Sequence, residues 1–206
     1  MPERTARTSG LATAAAALLV TGVVVAPSAG AADHSPADAG STGTRHCVVD
    51  SRTGEQSCFA TFPEAIEAAS GGAVTDAPAS SRSAAEGTSA ADTGFRTEMK
   101  EFNSDARTLE AGEVIQGTFF DETQFGGSSL TITGAAPCVK DGWIEYQYDF
   151  PDEWKNRVSS VQPWANCWIW LYPEPDLGGD RDGPFDENAP DIGSFMNDRA
   201  QSVGFS

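Results

Sequence analysis

The chain has 206 residues, with 30 Asp and Glu against 13 Lys and Arg, for a formal net charge of −17. That field repels phosphate backbones and anionic lipid heads, which sets nucleic acid and membrane surfaces aside as partners; it suits a cation or a basic protein surface. The length allows one good domain with smaller pieces around it.

Arg4 and Arg7 make a short basic start, and Leu11 to Val25 is apolar. Pro27 breaks that run, and Ala29-Gly30-Ala31 offers a small-x-small cleavage pattern, so residues 1–31 read as a signal peptide. The run is shorter than the roughly 20 residues a spanning helix needs. No cysteine follows it to carry a lipid. The expectation is a secreted, extracellular protein with no membrane partner after export. Residues 32–44 are polar and rich in Ala, Gly and Ser, a disordered spacer. Four cysteines follow, Cys47, Cys58, Cys138 and Cys167. An even count in an exported chain implies disulfides. Of the three pairings, a composition break between Cys58 and Cys138 favours Cys47–Cys58 with Cys138–Cys167. A zinc site is disfavoured, since there is no CxxC and the only histidines are His34 and His46.

Residues 45–72 form a small cassette. Cys47-Val48-Val49 and Ser57-Cys58-Phe59 flank the turn signal Ser51-Arg52-Thr53-Gly54, predicting a disulfide-closed hairpin. Thr61-Phe62-Pro63-Glu64 then opens a helix with a capping box, Pro63 sitting in the first turn and Gly71 ending it. Its apolar face, Phe62, Ile66 and Ala69, needs a surface, and the strands downstream supply one. Residues 73–94 have almost no large apolar side chains and read as a linker. Residues 95–111 carry Phe95, Met99 and Phe102 at helical spacing in a polar context, a connecting arm or weak helix.

From residue 112 to 206 the pattern changes. Val114-Ile115, Gly117 to Phe120, Ser129 to Thr133, Trp143 to Tyr148, Val158 to Val161, Trp168 to Tyr172 and Ser202 to Phe205 are short strands. Turns separate them at regular spacing, which argues for an all-β sandwich or barrel.

Two signatures recur in the same order in both halves of this zone. Phe119 to Ser128 matches Leu171 to Asp180, each with an aromatic (Phe120, Tyr172), an apolar residue five positions on, and a glycine (Gly127, Gly179) two beyond that. Lys155-Asn156-Arg157-Val158-Ser159-Ser160 matches Asn197-Asp198-Arg199-Ala200-Gln201-Ser202. The first signature is a folded hairpin whose glycine permits a close approach or a positive φ. Together they resemble the Greek key motif of the βγ-crystallins. The resemblance covers residues 112–206 and implies two Greek key motifs forming one β-sandwich.

The second signature resembles that family's calcium motif, N/D-N/D-x-x-S/T-S. The resemblance implies two cross-clamped sites, each with a side-chain oxygen from the second position of one motif, a hydroxyl from the fifth position of the other, and a hairpin carbonyl from Asp121 or Pro173. Such hard oxygen donors suit Ca²⁺. Asp198 with Ser159 makes the expected pair. Asn156 with Gln201 does not, because amides replace the carboxylate and the hydroxyl, and Lys155 stands where Asn or Asp is usual. One competent and one weak or absent calcium site is the expectation.

Over Trp168 to Gly179, Asn197 to Ser202 and the upstream cassette, the chain also resembles secreted bacterial metalloproteinase inhibitors that use this sandwich. The resemblance implies an extracellular protease as a second possible partner, met through a rigid exposed segment that the sequence does not identify. An enzyme is disfavoured: no Gly-x-Ser-x-Gly elbow, HExxH or phosphate loop occurs, and Asp152/Glu153 read as a solvated loop. Trp168 and Trp170 share one strand face and are expected to fill the core or lie beneath the N-terminal arm.

Overall fold

A computed structural model describes residues 43–87, 89–105 and 114–206. The signal peptide and nearly all of the spacer lie outside the described residues. The elements in chain order are β1 (His46–Asp50), β2 (Gln56–Phe59), α1 (Phe62–Ala69), α2 (Ser81–Glu86), α3 (Ala90–Asp105), β3 (Val114–Phe120), a 3₁₀ turn (Thr123–Phe125), β4 (Ser129–Gly134), β5 (Tyr146–Asp149), β6 (Ser160–Pro163), β7 (Ile169–Tyr172), β8 (Asp182–Phe185) and β9 (Ser202–Phe205).

Two sheets form, ordered β2-β1-β4-β3-β6 and β5-β9-β7-β8. The repeat explains the second order. β5 belongs to the first half by sequence but pairs antiparallel with β9 of the second. In return Ala189, from the second half, bridges Val161 on β6. The first half thus lends β5 to the second sheet, and the second half touches the first sheet through this isolated bridge, so residues of both halves join each sheet. The sheets enclose one core that includes Phe119, Leu130, Ile132, Val161, Ile169, Leu171, Val203 and Phe205. This is the all-β, βγ-crystallin-like sandwich of two Greek keys.

The cassette extends it. β1 and β2 form the expected hairpin, closed by Cys47–Cys58 with Cα atoms 4.0 Å apart. β1 then adds parallel to β4, a non-local pairing that no local signal announces. Thr61 caps α1 in a full capping box, its Oγ accepting from the Glu64 amide while Glu64 accepts from the Thr61 amide.

Residues 73–94 differ from the linker expectation. They hold α2 and the start of α3, and Val74, Ala84 and Ala85 are buried. Two caps explain these helices: Gly87 ends α2 in the left-handed region, and Ser89 with Asp92 exchanges amide-to-side-chain hydrogen bonds of 2.9 and 3.1 Å at the start of α3. Small side chains here allow close helix packing. The connecting arm is correspondingly a regular helix to Asp105, with Phe95 and Met99 on its buried face; residues 106–113 lie outside the described residues. The three helices cover the outer face of the first sheet through a second core of Phe62, Ile66, Phe95, Met99, Ile115, Phe120, Phe125 and Trp164.

Candidate functional site

The motif corners obey a local twofold. Ser160 Oγ donates to the Glu122 carbonyl at 2.6 Å and accepts from the Phe125 amide at 3.1 Å. Ser202 Oγ repeats this with the Glu174 carbonyl at 2.7 Å and the Leu177 amide at 3.1 Å. The main chain reads the same way: Gln124 and Phe125 have positive φ, as do Asp176 and Leu177, and so do Asn156 and Asp198. The sixth-position serines therefore close the folded hairpins, and Phe120 and Tyr172 occupy equivalent places before them. The amide of Asn156 reaches the Ala200 carbonyl at 2.8 Å and that of Asp198 reaches the Val158 carbonyl at 3.1 Å, so each motif crosses the other.

At one crossing three oxygens converge. Ser159 Oγ lies 3.5 Å from Asp198 Oδ1 and 3.3 Å from the Asp121 carbonyl oxygen. Calcium ligands at about 2.3–2.6 Å from the ion, set roughly at right angles, are themselves about 3.3–3.7 Å apart. The spacing and hard-oxygen chemistry of this set therefore fit calcium, with water completing the shell. Asn197 Nδ2 donates to Asp198 Oδ2 at 2.8 Å and orients the carboxylate. The Asp121 carboxylate is engaged elsewhere. It accepts from the Ser128 amide at 2.6 Å and pairs with the Arg157 guanidinium. A Cβ at Gly127 would sit 2.1 Å from Asp121 Oδ1, so the glycine makes room for that carboxylate.

At the other crossing no hydrogen bond joins the Asn156 side chain, the Gln201 side chain and the Pro173 carbonyl among the described residues. Gln201 is held by its main chain, its amide on the Tyr172 carbonyl and its carbonyl under the Phe150 amide. The Lys155 ammonium turns instead to Asp152 at 2.6 Å. That hydrogen bond raises the Lys155 pKa and lowers that of Asp152. Among the described residues no group of three or more His, Cys, Asp or Glu is placed to hold a metal, and the first crossing offers a single side-chain carboxylate, that of Asp198.

The loop between β4 and β5 escaped the sequence reading, although the disulfide at its root was expected. Cys138–Cys167 forms, with Cα atoms 4.8 Å apart, and holds the root of the loop between β4 and β5. β5 begins at Tyr146 rather than Trp143, which leaves Trp143 in that loop. Val139 and Trp143 are 68% and 79% exposed. The loop is braced throughout: Asn166 Nδ2 donates to the Cys138 carbonyl, the Val139 amide to Glu145, and the Trp143 amide to Asp141. Lys140 lies 5.8 Å over the Trp168 ring. The turn signal Asp141-Gly142 directly before Trp143 was the available clue.

The tryptophan stripe also differs from expectation. Ile169 and Leu171 enter the core, whereas Trp168 and Trp170 belong to neither core cluster; Trp170 is buried, and each ring lies under a cationic side chain. Arg181 stacks 3.8 Å over Trp170, whose indole nitrogen donates to Ser206 Oγ at 3.0 Å. His46 is buried, with Nδ1 2.9 Å from Ser129 Oγ and its ring edge-on to Phe62. Burial lowers its pKa, with Asp121 opposing the shift. His34 lies outside the described residues.

No protein-family model matches the chain, and no curated protein matches it. Among solved structures, it is similar to a βγ-crystallin domain from Clostridium beijerinckii, at 17% identity over 44% of this chain and 95% of that one, with a TM-score of 0.34. A βγ-crystallin domain from Flavobacterium johnsoniae is similar at 14% identity over 44% and 92%, TM-score 0.33. The N-terminal domain of protein S is similar at 20% identity over 44% and 94%, TM-score 0.34.

Proposed function

We propose that this is an exported, non-enzymatic βγ-crystallin-like module that binds one calcium ion between Asp198, Ser159 and the Asp121 carbonyl. The convergence of these three oxygens, from residues up to 77 positions apart in sequence, carries the reading. Asn156, Gln201 and Pro173 form the degenerate counterpart. Export accords with both disulfides and with the acidic charge; among the described residues no helix is long and apolar enough to cross a membrane. Calorimetric titration of the oxidised protein with calcium tests the proposal. The expected isotherm has a stoichiometry near one ion, and Asp198→Ala abolishes the heat. An equal isotherm from the variant refutes the site.

A second reading, inhibition of an extracellular metalloprotease on the same scaffold, is favoured by the loop from Cys138 to Glu145. An exposed, disulfide-braced segment displaying large apolar side chains loses little entropy on entering a cleft. Residual activity of thermolysin-type proteases, measured against the protein and against Val139→Asp, tests it. Unchanged activity across a panel removes this reading and leaves the calcium site untouched.

A further inference from the structure

The twofold supplies an internal control for one residue. Arg157 and Arg199 both occupy the third position of their motifs. Each donates Nη1 to the carbonyl four residues back, Glu153 at 2.9 Å and Phe195 at 2.7 Å. Each also lies 5.3 Å over an aromatic ring, Trp154 for Arg157 and Phe195 for Arg199. The motif thus holds both guanidinium groups on equivalent carbonyls and over an aromatic ring, three residues back and buried for Arg157, four residues back and exposed for Arg199.

They differ in what the free edge meets. Arg157 Nη2 pairs with the Asp121 carboxylate, whereas Pro173 stands at the position equivalent to Asp121. The second half keeps the corner without any such pair, so the pair is not required to build one. Asp121 is also the residue whose carbonyl joins Ser159 and Asp198 in the candidate calcium site. A guanidinium fixed here withholds a carboxylate from the site's charge balance and places a positive charge beside a divalent cation. Both effects oppose binding.

We infer that the Arg157–Asp121 ion pair is an intramolecular competitor of calcium that raises the concentration at which the site fills. The inference rests on the calcium reading of the site and adds what sets its threshold. One unit charge near a divalent ion in a solvent-lined site changes affinity by roughly tenfold, and salt screens the change.

The test is calcium calorimetry on the full oxidised chain carrying Arg157→Gln, Arg199→Gln, or Arg157→Gln combined with Asp121→Asn. Calcium-induced shifts in thermal midpoint serve as a second readout. Arg157→Gln is expected to tighten binding about tenfold at low salt and less at high salt. Arg199→Gln is expected to leave affinity nearly unchanged, and Asp121→Asn to remove most of the gain. Arg157→Lys, which keeps the charge and loses the planar fork, is the substitute if Arg157→Gln unfolds, with an intermediate gain expected. Wild-type binding with unchanged or weakened affinity in the Arg157 variants overturns the inference and spares the calcium site. Absence of binding in wild type and variants alike overturns the calcium reading and the inference with it.

Discussion

Replacing Ser160 with alanine separates the role of the hairpin from that of the ion. Ser160 is fully buried, and its hydroxyl serves two partners at once. Its loss strands the Phe125 amide in a buried setting, which costs about 1–3 kcal/mol, and the partly buried Glu122 carbonyl, which costs about 0.5–1.5 kcal/mol. The sum is roughly 2–4 kcal/mol, or about 5–15 °C in thermal midpoint for a domain of this size. Urea unfolding with both disulfides intact measures it, and Ser202→Ala, with matching bonds, should cost the same within about 1 kcal/mol. Ser159→Ala is the contrast. That hydroxyl makes only long contacts at 3.3 and 3.5 Å, so its loss should cost under about 1 kcal/mol while abolishing the calcium response. A stability loss below about 1 kcal/mol for Ser160→Ala, or a larger loss for Ser159→Ala, refutes this division of labour.

Phe95→Ala should cost about 3–5 kcal/mol, since the ring is buried between Phe62 and Trp164; chemical denaturation showing under about 1 kcal/mol would mean the helices are a detachable layer. His46 is lowered below its ordinary pKa of 6.5 by burial, so the unfolded chain takes up a proton where the folded one does not. Its contribution is therefore complete above about pH 6.5 and is lost as pH falls below that value. His46→Gln should flatten the stability profile as pH falls below about 6.5, and a parallel profile refutes the assignment. Asp50, held low first by its hydrogen bond to Arg52, loses its contribution only as pH falls through and below its ordinary value of 3.8, so Asp50→Asn should change stability at neutral pH and not below that range.

Much of the fold was legible because its signals are local or repeated. The capping box at Thr61, both disulfides and the paired hairpin signatures each involve residues whose relation is visible in one dimension. The failures have physical causes. Residues 73–94 read as linker because alanine and serine give no periodic apolar stripe, yet small residues are what let α2 and α3 pack closely on the first sheet. The Ser89–Asp92 cap was present and went unused. The parallel seam between β1 and β4 and the Arg157–Asp121 pair join residues far apart in sequence, and no single-strand pattern encodes such partners. The exposed Trp143 was missed because an aromatic before a β-rich run looks like the strand itself.

The broken symmetry says how the ion relates to the architecture. Both hairpins are closed by the sixth-position serines through protein-to-protein hydrogen bonds, and both corners are crossed by main-chain bonds from the opposite motif. Neither device uses the fifth-position side chain. The second half can therefore carry Gln201 there, and Pro173 in place of an acidic residue, without losing its Greek key. A site whose ligands are surplus to the corner's own bonding stabilises the protein only by occupancy, through RT ln(1 + [Ca²⁺]/Kd), at most a few kcal/mol even a hundredfold above Kd. Sandwich and proposed calcium site are thus separable, and substitution at one crossing leaves the architecture to the serines at both.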